Sequence, residues 1–176
     1  MILDAARIVL GYLLGSISGS LLLGRLRGID IRMQGSGNAG STNAFRTQGL
    51  WFALGVAVID VGKSALAAWI GGCGIADGGH ALRVALLAGA AAMAGHVWPL
   101  YYGFRGGKGM AAVFGVLLVL WPAGLAVMLG VLLLVLATTG FVGLGSMLAG
   151  VALAAAAVLF TPAPHRPVWI VAAVAV

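Results

Sequence analysis

Asp30-Ile31-Arg32-Met33-Gln34-Gly35-Ser36-Gly37-Asn38-Ala39-Gly40-Ser41-Thr42-Asn43-Ala44-Phe45-Arg46 is the longest polar interval in an otherwise apolar chain. Gly35, Gly37 and Gly40 let the backbone bend sharply and come close to a ligand. Ser36, Asn38, Ser41, Thr42 and Asn43 add small hydrogen-bonding groups, and Arg32 and Arg46 bracket them with fixed positive charge. Together these residue types suit an oxyanion, above all a phosphate.

The three glycines also spell G-x-G-x-x-G, with Asp60 downstream. A dinucleotide site needs a preceding strand and a following soluble helix, and here both flanks are strongly apolar. A solvated glycine-rich loop between membrane helices explains the glycines but not the density of Ser, Thr, Asn and Arg. The phrase Val61-Gly62-Lys63-Ser64 resembles the end of a P-loop, yet Ala57 stands where its first glycine belongs.

Working outward, the 176 residues are 62% hydrophobic and 8% charged. So few polar side chains cannot cover a soluble domain. The composition implies an all-α, polytopic membrane protein, because helices satisfy their own backbone groups in lipid. A net charge of +6 could suggest nucleic acid, but basic residues in a membrane protein mark cytoplasmic loops and an anionic substrate instead. One cysteine excludes an intramolecular disulfide, and the scattered histidines and aspartates offer no metal-ligand spacing. No signal peptide is read at the amino terminus, where Asp4 precedes the apolar run.

The first apolar span covers residues 5–23, with Gly15, Ser16, Ser18, Gly19 and Ser20 near its end, which reads as close helix packing. The second, 51–71, contains Asp60 and Lys63 on one helical face, either a mutual pair or part of a site. A hydrophilic turn over 72–80 leads to a third span, 83–100. There Gly95-His96-Val97-Trp98-Pro99 precedes a second polar cluster, Phe104-Arg105-Gly106-Gly107-Lys108-Gly109. Residues 110–121 are short for a crossing and Pro122 breaks or kinks the chain; spans over 123–137 and 141–160 follow. The run 168–176 after the proline-rich 161–167 reaches only about 14 Å as a helix, against about 30 Å of hydrocarbon. It is either re-entrant or a span that continues beyond Val176. About seven segments are expected in all, forming one domain over residues 1–176. Arg25, Arg27, Arg32, Arg46, Arg105 and Lys108 fall in two intervals that positive-inside counting places together in the cytoplasm, with the amino terminus outside.

Residues Gly35 to Arg46 resemble the first signature of the bacterial acyl-phosphate:glycerol-3-phosphate acyltransferases, the PlsY family. Asp60-Val61-Gly62-Lys63 is similar to that family's D-x-x-K element. Gly95-His96 through Pro99, followed by Phe104 to Gly109, resembles its second signature. The match runs in order along nearly the whole chain. A third signature, containing a His, an Asn and a Glu, would follow the last span. His165 precedes the final apolar run and is not that histidine, so those residues are expected beyond Val176.

The resemblance implies acyl transfer from a fatty acyl phosphate to the sn-1 hydroxyl of glycerol 3-phosphate, giving lysophosphatidic acid and phosphate at the bacterial inner membrane. It implies no cofactor, no metal and no nucleic-acid partner. Phosphate is a competent leaving group, so the demands are positioning and charge stabilisation. Ser36 and Lys108 are the catalytic candidates. Lys108 and Arg46 are read as phosphate ligands, with Gly35, Gly37, Asn38, Thr42, Asn43, Gly106 and Gly107 completing the cradle. Ser146 resembles a further site position of the family. Asp60 and Lys63 are read as a pair supporting the site. His96 is either a general base or a packed, hydrogen-bonded residue, and the packed reading is adopted. A transporter of organic phosphates would use similar residues but should show inverted repeats and polar groups near the bilayer midplane. A purely structural subunit would leave the Ser, Asn, Arg and Lys clusters unexplained.

Overall fold

A computed structural model describes residues 1–160, and these are helical with no strand among them. The expectations for the 161–167 and 168–176 segments, His165 and Arg166 lie outside the described residues. The helices are α1 (Ile2–Gly15), α2 (Gly19–Leu26), α3 (Ser41–Gln48), α4 (Leu50–Gly72), α5 (Gly78–Val97), α6 (Met110–Leu120), α7 (Pro122–Thr139) and α8 (Val142–Phe160). The chain forms two compact units, divided between Leu120 and Trp121.

In the first unit, α4 packs on α5 and α6, and α1 packs on α5 and α4. Small residues make these approaches close, as membrane helices require where apolar attraction between them is weak. Gly11 and Gly15 of α1 face the backbone of Ala88 and Ala92 in α5, and Gly115 of α6 faces that of Val61 in α4. A separate core lies beneath the first polar segment. Ile31, Ala39 and Ala44 are fully buried there against Leu21, Phe52 and Val56, so three apolar side chains root an otherwise polar stretch.

Among the described residues, four helices are long and apolar enough to cross a membrane, or five if α1 and α2 count as one bent span. The expected continuous first span is in fact broken, with α1 and α2 meeting at 47°. Serines lie on both sides of the break. Ser16 Oγ bonds the Tyr12 carbonyl within the helix, and Ser20 Oγ instead reaches the Ala39 carbonyl at 2.8 Å. A run read as packing residues thus also carries polar duties.

Helix α6 has only 11 residues and ends where Pro122 opens α7. In the second unit α7 packs against α8. The structure extends α7 to Thr139, because both Thr138 and Thr139 bond carbonyls one turn back rather than forming a turn. Gly140, at φ 72°, closes the helix in the left-handed conformation that favours glycine.

Candidate active site

The first polar segment is tied by one buried amide. Asn43 Oδ1 accepts the Ser36 N–H at 2.9 Å, and Asn43 Nδ2 donates toward the carbonyls of Ile31, Gln34 and Asn38 at 3.0–3.1 Å. Its donors are engaged within the protein, so Asn43, expected among the phosphate ligands, ties the segment together. Gly35 and Gly37 take positive φ to follow this path, and a side chain at Gly35 would collide with the Asn43 amide. The exposed Ser36 hydroxyl and half-buried Asn38 and Thr42 remain beside it. Helix α3 starts at Ser41 without a side-chain cap and carries Arg46, exposed, in its last turn. The residues Ser41 to Arg46 thus form a helix rather than loop.

The second segment folds back onto the end of α5. The Gly107 N–H donates to the His96 carbonyl and the Gly106 N–H to the Val97 carbonyl, both at 3.1 Å. Gly106 and Gly107, expected in the phosphate cradle, thus have their amides bonded to backbone carbonyls, as does Gly37, which donates to the Gln34 carbonyl. Gly103 and Phe104 both lie in the left-handed region, at φ 67° and 60°. Phe104 carries a side chain there, an unfavourable conformation that its surroundings must hold. Lys108 is exposed. Among the described residues, the side chains of Arg46, Arg105 and Lys108 enter no hydrogen bond or ion pair.

Arg32 joins the two segments. Its Nη1 donates to the carbonyls of Tyr102 at 3.0 Å and Arg105 at 3.3 Å. Its Nε and Nη2 grip the Asp30 carboxylate, the shortest distance being 2.7 Å. The Arg32 guanidinium hydrogen-bonded to Asp30 holds that carboxyl below the usual carboxylate range, and Asp30 in turn raises Arg32. Arg25 sits over the Tyr102 ring at 4.8 Å, adding a cation–π contact on the same side.

Behind them lies a buried charged cluster. Lys63 Nζ is 2.8 Å from Asp60 Oδ1, 3.0 Å from His96 Nδ1 and 2.6 Å from the Ile17 carbonyl. Asp60 Oδ1 also accepts the Gly19 N–H at 3.0 Å. Both backbone groups belong to the break between α1 and α2, where helical bonding stops. Apolar surroundings make an unpaired backbone group costly, and this cluster satisfies two of them. His96 is buried and continues into the second segment through its carbonyl.

The structure therefore brings Ser36, Asn43, Asp60, Lys63 and His96 into one connected set with the 104–109 segment. Ser146 belongs to the second unit, where its hydroxyl bonds the Gly143 carbonyl at 2.8 Å. Among the described residues no group of His, Cys or Asp could hold a metal.

The glycerol-3-phosphate acyltransferase family model matches residues 5–176. The chain belongs to this family. Glycerol-3-phosphate acyltransferases similar to it include one from Shouchella clausii, 42% identical over 92% of this chain and 78% of its own length. Another, from a Synechococcus strain, is 45% identical over 83% of this chain and 72% of its own. Among solved structures, PlsY, an integral membrane glycerol 3-phosphate acyltransferase in its glycerol 3-phosphate form, gives a TM-score of 0.85 at 30% identity. That match covers 98% of this chain and 85% of PlsY. The lysophosphatidic acid form of PlsY matches at 0.83.

Arg32, which in sequence reads as one of two cations bracketing an oxyanion, joins the two polar segments, and Ser20, which reads as a packing residue, bonds the Ala39 carbonyl. The signal for Arg32 was present only as Asp30 two residues away, a spacing that favours a local ion pair. Nothing local points to Tyr102.

Proposed function

We propose that the chain is a membrane acyltransferase that moves a fatty acyl group from acyl phosphate to the sn-1 hydroxyl of glycerol 3-phosphate. The observation that carries this is the family match over residues 5–176, which includes both polar segments that Arg32 joins. In the reaction, the glycerol hydroxyl oxygen attacks the acyl carbonyl carbon and a tetrahedral oxyanion forms. The bond to phosphate then breaks, giving lysophosphatidic acid and inorganic phosphate, with the hydroxyl proton passing to the released phosphate or to water.

The chemistry asks mainly for two phosphates held in place and charge offset as it develops. Arg46 and Lys108 are cations without partners among the described residues, which suits them to that task. Ser36 offers an exposed hydroxyl on a backbone fixed by Asn43. Thr42 and Asn38 flank it, and Gly35, Gly37, Gly106 and Gly107 permit the tight backbone paths. Asp60, Lys63 and His96 support the segment that carries Lys108 from behind. Ser146 is retained as a site residue on the family resemblance. Residues 1–176 are taken as one catalytic domain in the bacterial cytoplasmic membrane, with the amino terminus outside. Supporting that orientation, Arg25, Arg27, Arg32, Arg46, Arg105 and Lys108 share the end bearing both polar segments, whereas the Cys73–Gly78 end has Arg7 and Arg83 bonded to carbonyls.

The test is direct. Purified protein given palmitoyl phosphate and glycerol 3-phosphate should release lysophosphatidic acid and phosphate in equal amounts. Uptake of glycerol 3-phosphate into sealed vesicles without product would overturn the proposal.

A further inference from the structure

Arg32 sits where the two polar segments meet, and its donors show what it does there. Nε and one Nη2 hydrogen serve Asp30, and both Nη1 hydrogens serve the carbonyls of Tyr102 and Arg105, which occupies four of the five guanidinium donors. The Asp30 carboxylate also accepts the Arg32 N–H at 2.9 Å, so side chain and backbone of Arg32 are held by one group. A guanidinium so committed is poorly placed to bind substrate.

The two carbonyls it grips are informative. Tyr102 and Arg105 flank the left-handed pair Gly103–Phe104, and Phe104 is the single non-glycine residue at positive φ among those described. Such a turn persists when its ends are held. Its far side is fixed by the Gly106 and Gly107 amides on the end of α5, and its near side by Arg32. Lys108 follows immediately, exposed and without a partner among the described residues.

Resting on the acyltransferase reading of this site, we infer that Arg32 is a positioning residue: it clamps the Gly103–Phe104 turn and thereby sets Lys108 over the substrate phosphate. The clamp depends on the planar fork of a guanidinium. A lysine has the charge and three donors, but they radiate from one nitrogen and cannot reproduce the fork that is bidentate to Asp30 on one edge and reaches two carbonyls on the other.

The experiment uses the purified full chain, in lipid nanodiscs, with palmitoyl phosphate and glycerol 3-phosphate. Arg32→Ala should lower kcat/KM for glycerol 3-phosphate roughly tenfold or more, and Arg32→Lys should recover little of that loss. Because Arg32 acts through Lys108, Arg32→Ala added to Lys108→Ala should cost nothing further, a result that a general loss of stability would not give. Amide exchange at Gly106 and Gly107 should quicken in both Arg32 variants. Near wild-type kinetics in Arg32→Lys, or losses that multiply in the double variant, would overturn the inference. If Arg32→Ala does not fold, Asp30→Asn replaces it and must show the same dependence on Lys108. Should the wild type make no lysophosphatidic acid, the acyltransferase reading fails. The clamp is then judged separately by amide exchange, and unchanged exchange at Gly106 and Gly107 refutes it.

Discussion

Lys63 Nζ lies 2.6 Å from the Ile17 carbonyl, joining the middle of α4 to the point where α1 gives way to α2. The ammonium also faces Asp60 and His96, and the side chains of Lys63 and Asp60 are 4% and 0% exposed. Burial without partners would be very costly for either ion, so each depends on the other.

Removing one partner should therefore hurt more than removing both. Lys63→Met leaves the Asp60 carboxylate buried and the Ile17 carbonyl unbonded, and should cost about 3–5 kcal/mol. Asp60→Leu with Lys63→Met should cost less than the sum of the single changes, since no lone charge remains. Unfolding in mixed micelles measures both. Equal, additive losses would contradict the dependence.

Two glycines should separate fold from site. A side chain at Gly95 would meet the backbone of Tyr12 and Gly15 in α1, which cannot move without parting the helices. A side chain at Gly107 would meet the His96 ring, itself held by Lys63. Gly95→Ala should destabilise by about 1–3 kcal/mol. Gly107→Ala should displace the 104–109 segment and raise the glycerol 3-phosphate KM with a smaller change in Tm. The contrast is read from thermal melts alongside kinetics.

Arg46 and Lys108 should act on one substrate group. Arg46→Ala and Lys108→Ala should each cost about 1.5–3 kcal/mol of transition-state stabilisation, roughly one to two decades in kcat/KM. The double variant should depart from additivity if both serve the same phosphate. Arg83→Ala, at an exposed residue whose side chain bonds the Gly79 carbonyl, is the control and should be near neutral. Normal turnover and KM in Lys108→Ala would end the shared-phosphate reading.

Orientation is open to chemistry at one native group. Cys73 is a free, exposed thiol beyond the end of α4. In intact cells it should react with a membrane-impermeant maleimide added outside. A cysteine introduced by Ser41→Cys in a Cys73→Ser background should react only after the cells are opened. The reverse pattern would invert the topology.

The sequence made the helical class legible through composition, and the Asp60–Lys63 pairing through a three-residue spacing. Pro122 likewise marked the short α6 from its sequence alone. Asn43 was harder, because an amide that ties a loop and one that binds phosphate look identical in sequence; its bonds to four backbone groups are visible only in the fold. The break after Gly15 was hidden for a different reason. Its serines suit close helix packing as well as a kink, and the groups that satisfy it come from α4, some 40 residues later. Arg32 and Tyr102 stand 70 residues apart, so no local pattern reports their bond.

The discontinuity between α1 and α2 also bears on how the protein is made. During synthesis the first apolar segment enters the bilayer before α4 exists, and at that stage nothing can bond the Ile17 carbonyl or the Gly19 amide. A nascent chain must either keep that segment as a straight helix or leave it near water. Arrival of α4 brings a lysine and an aspartate into the membrane, each an unfavourable passenger until it finds the other and the bend. Bending of the first segment and stable insertion of the second are therefore one assembly event, because each supplies the partners that the other lacks.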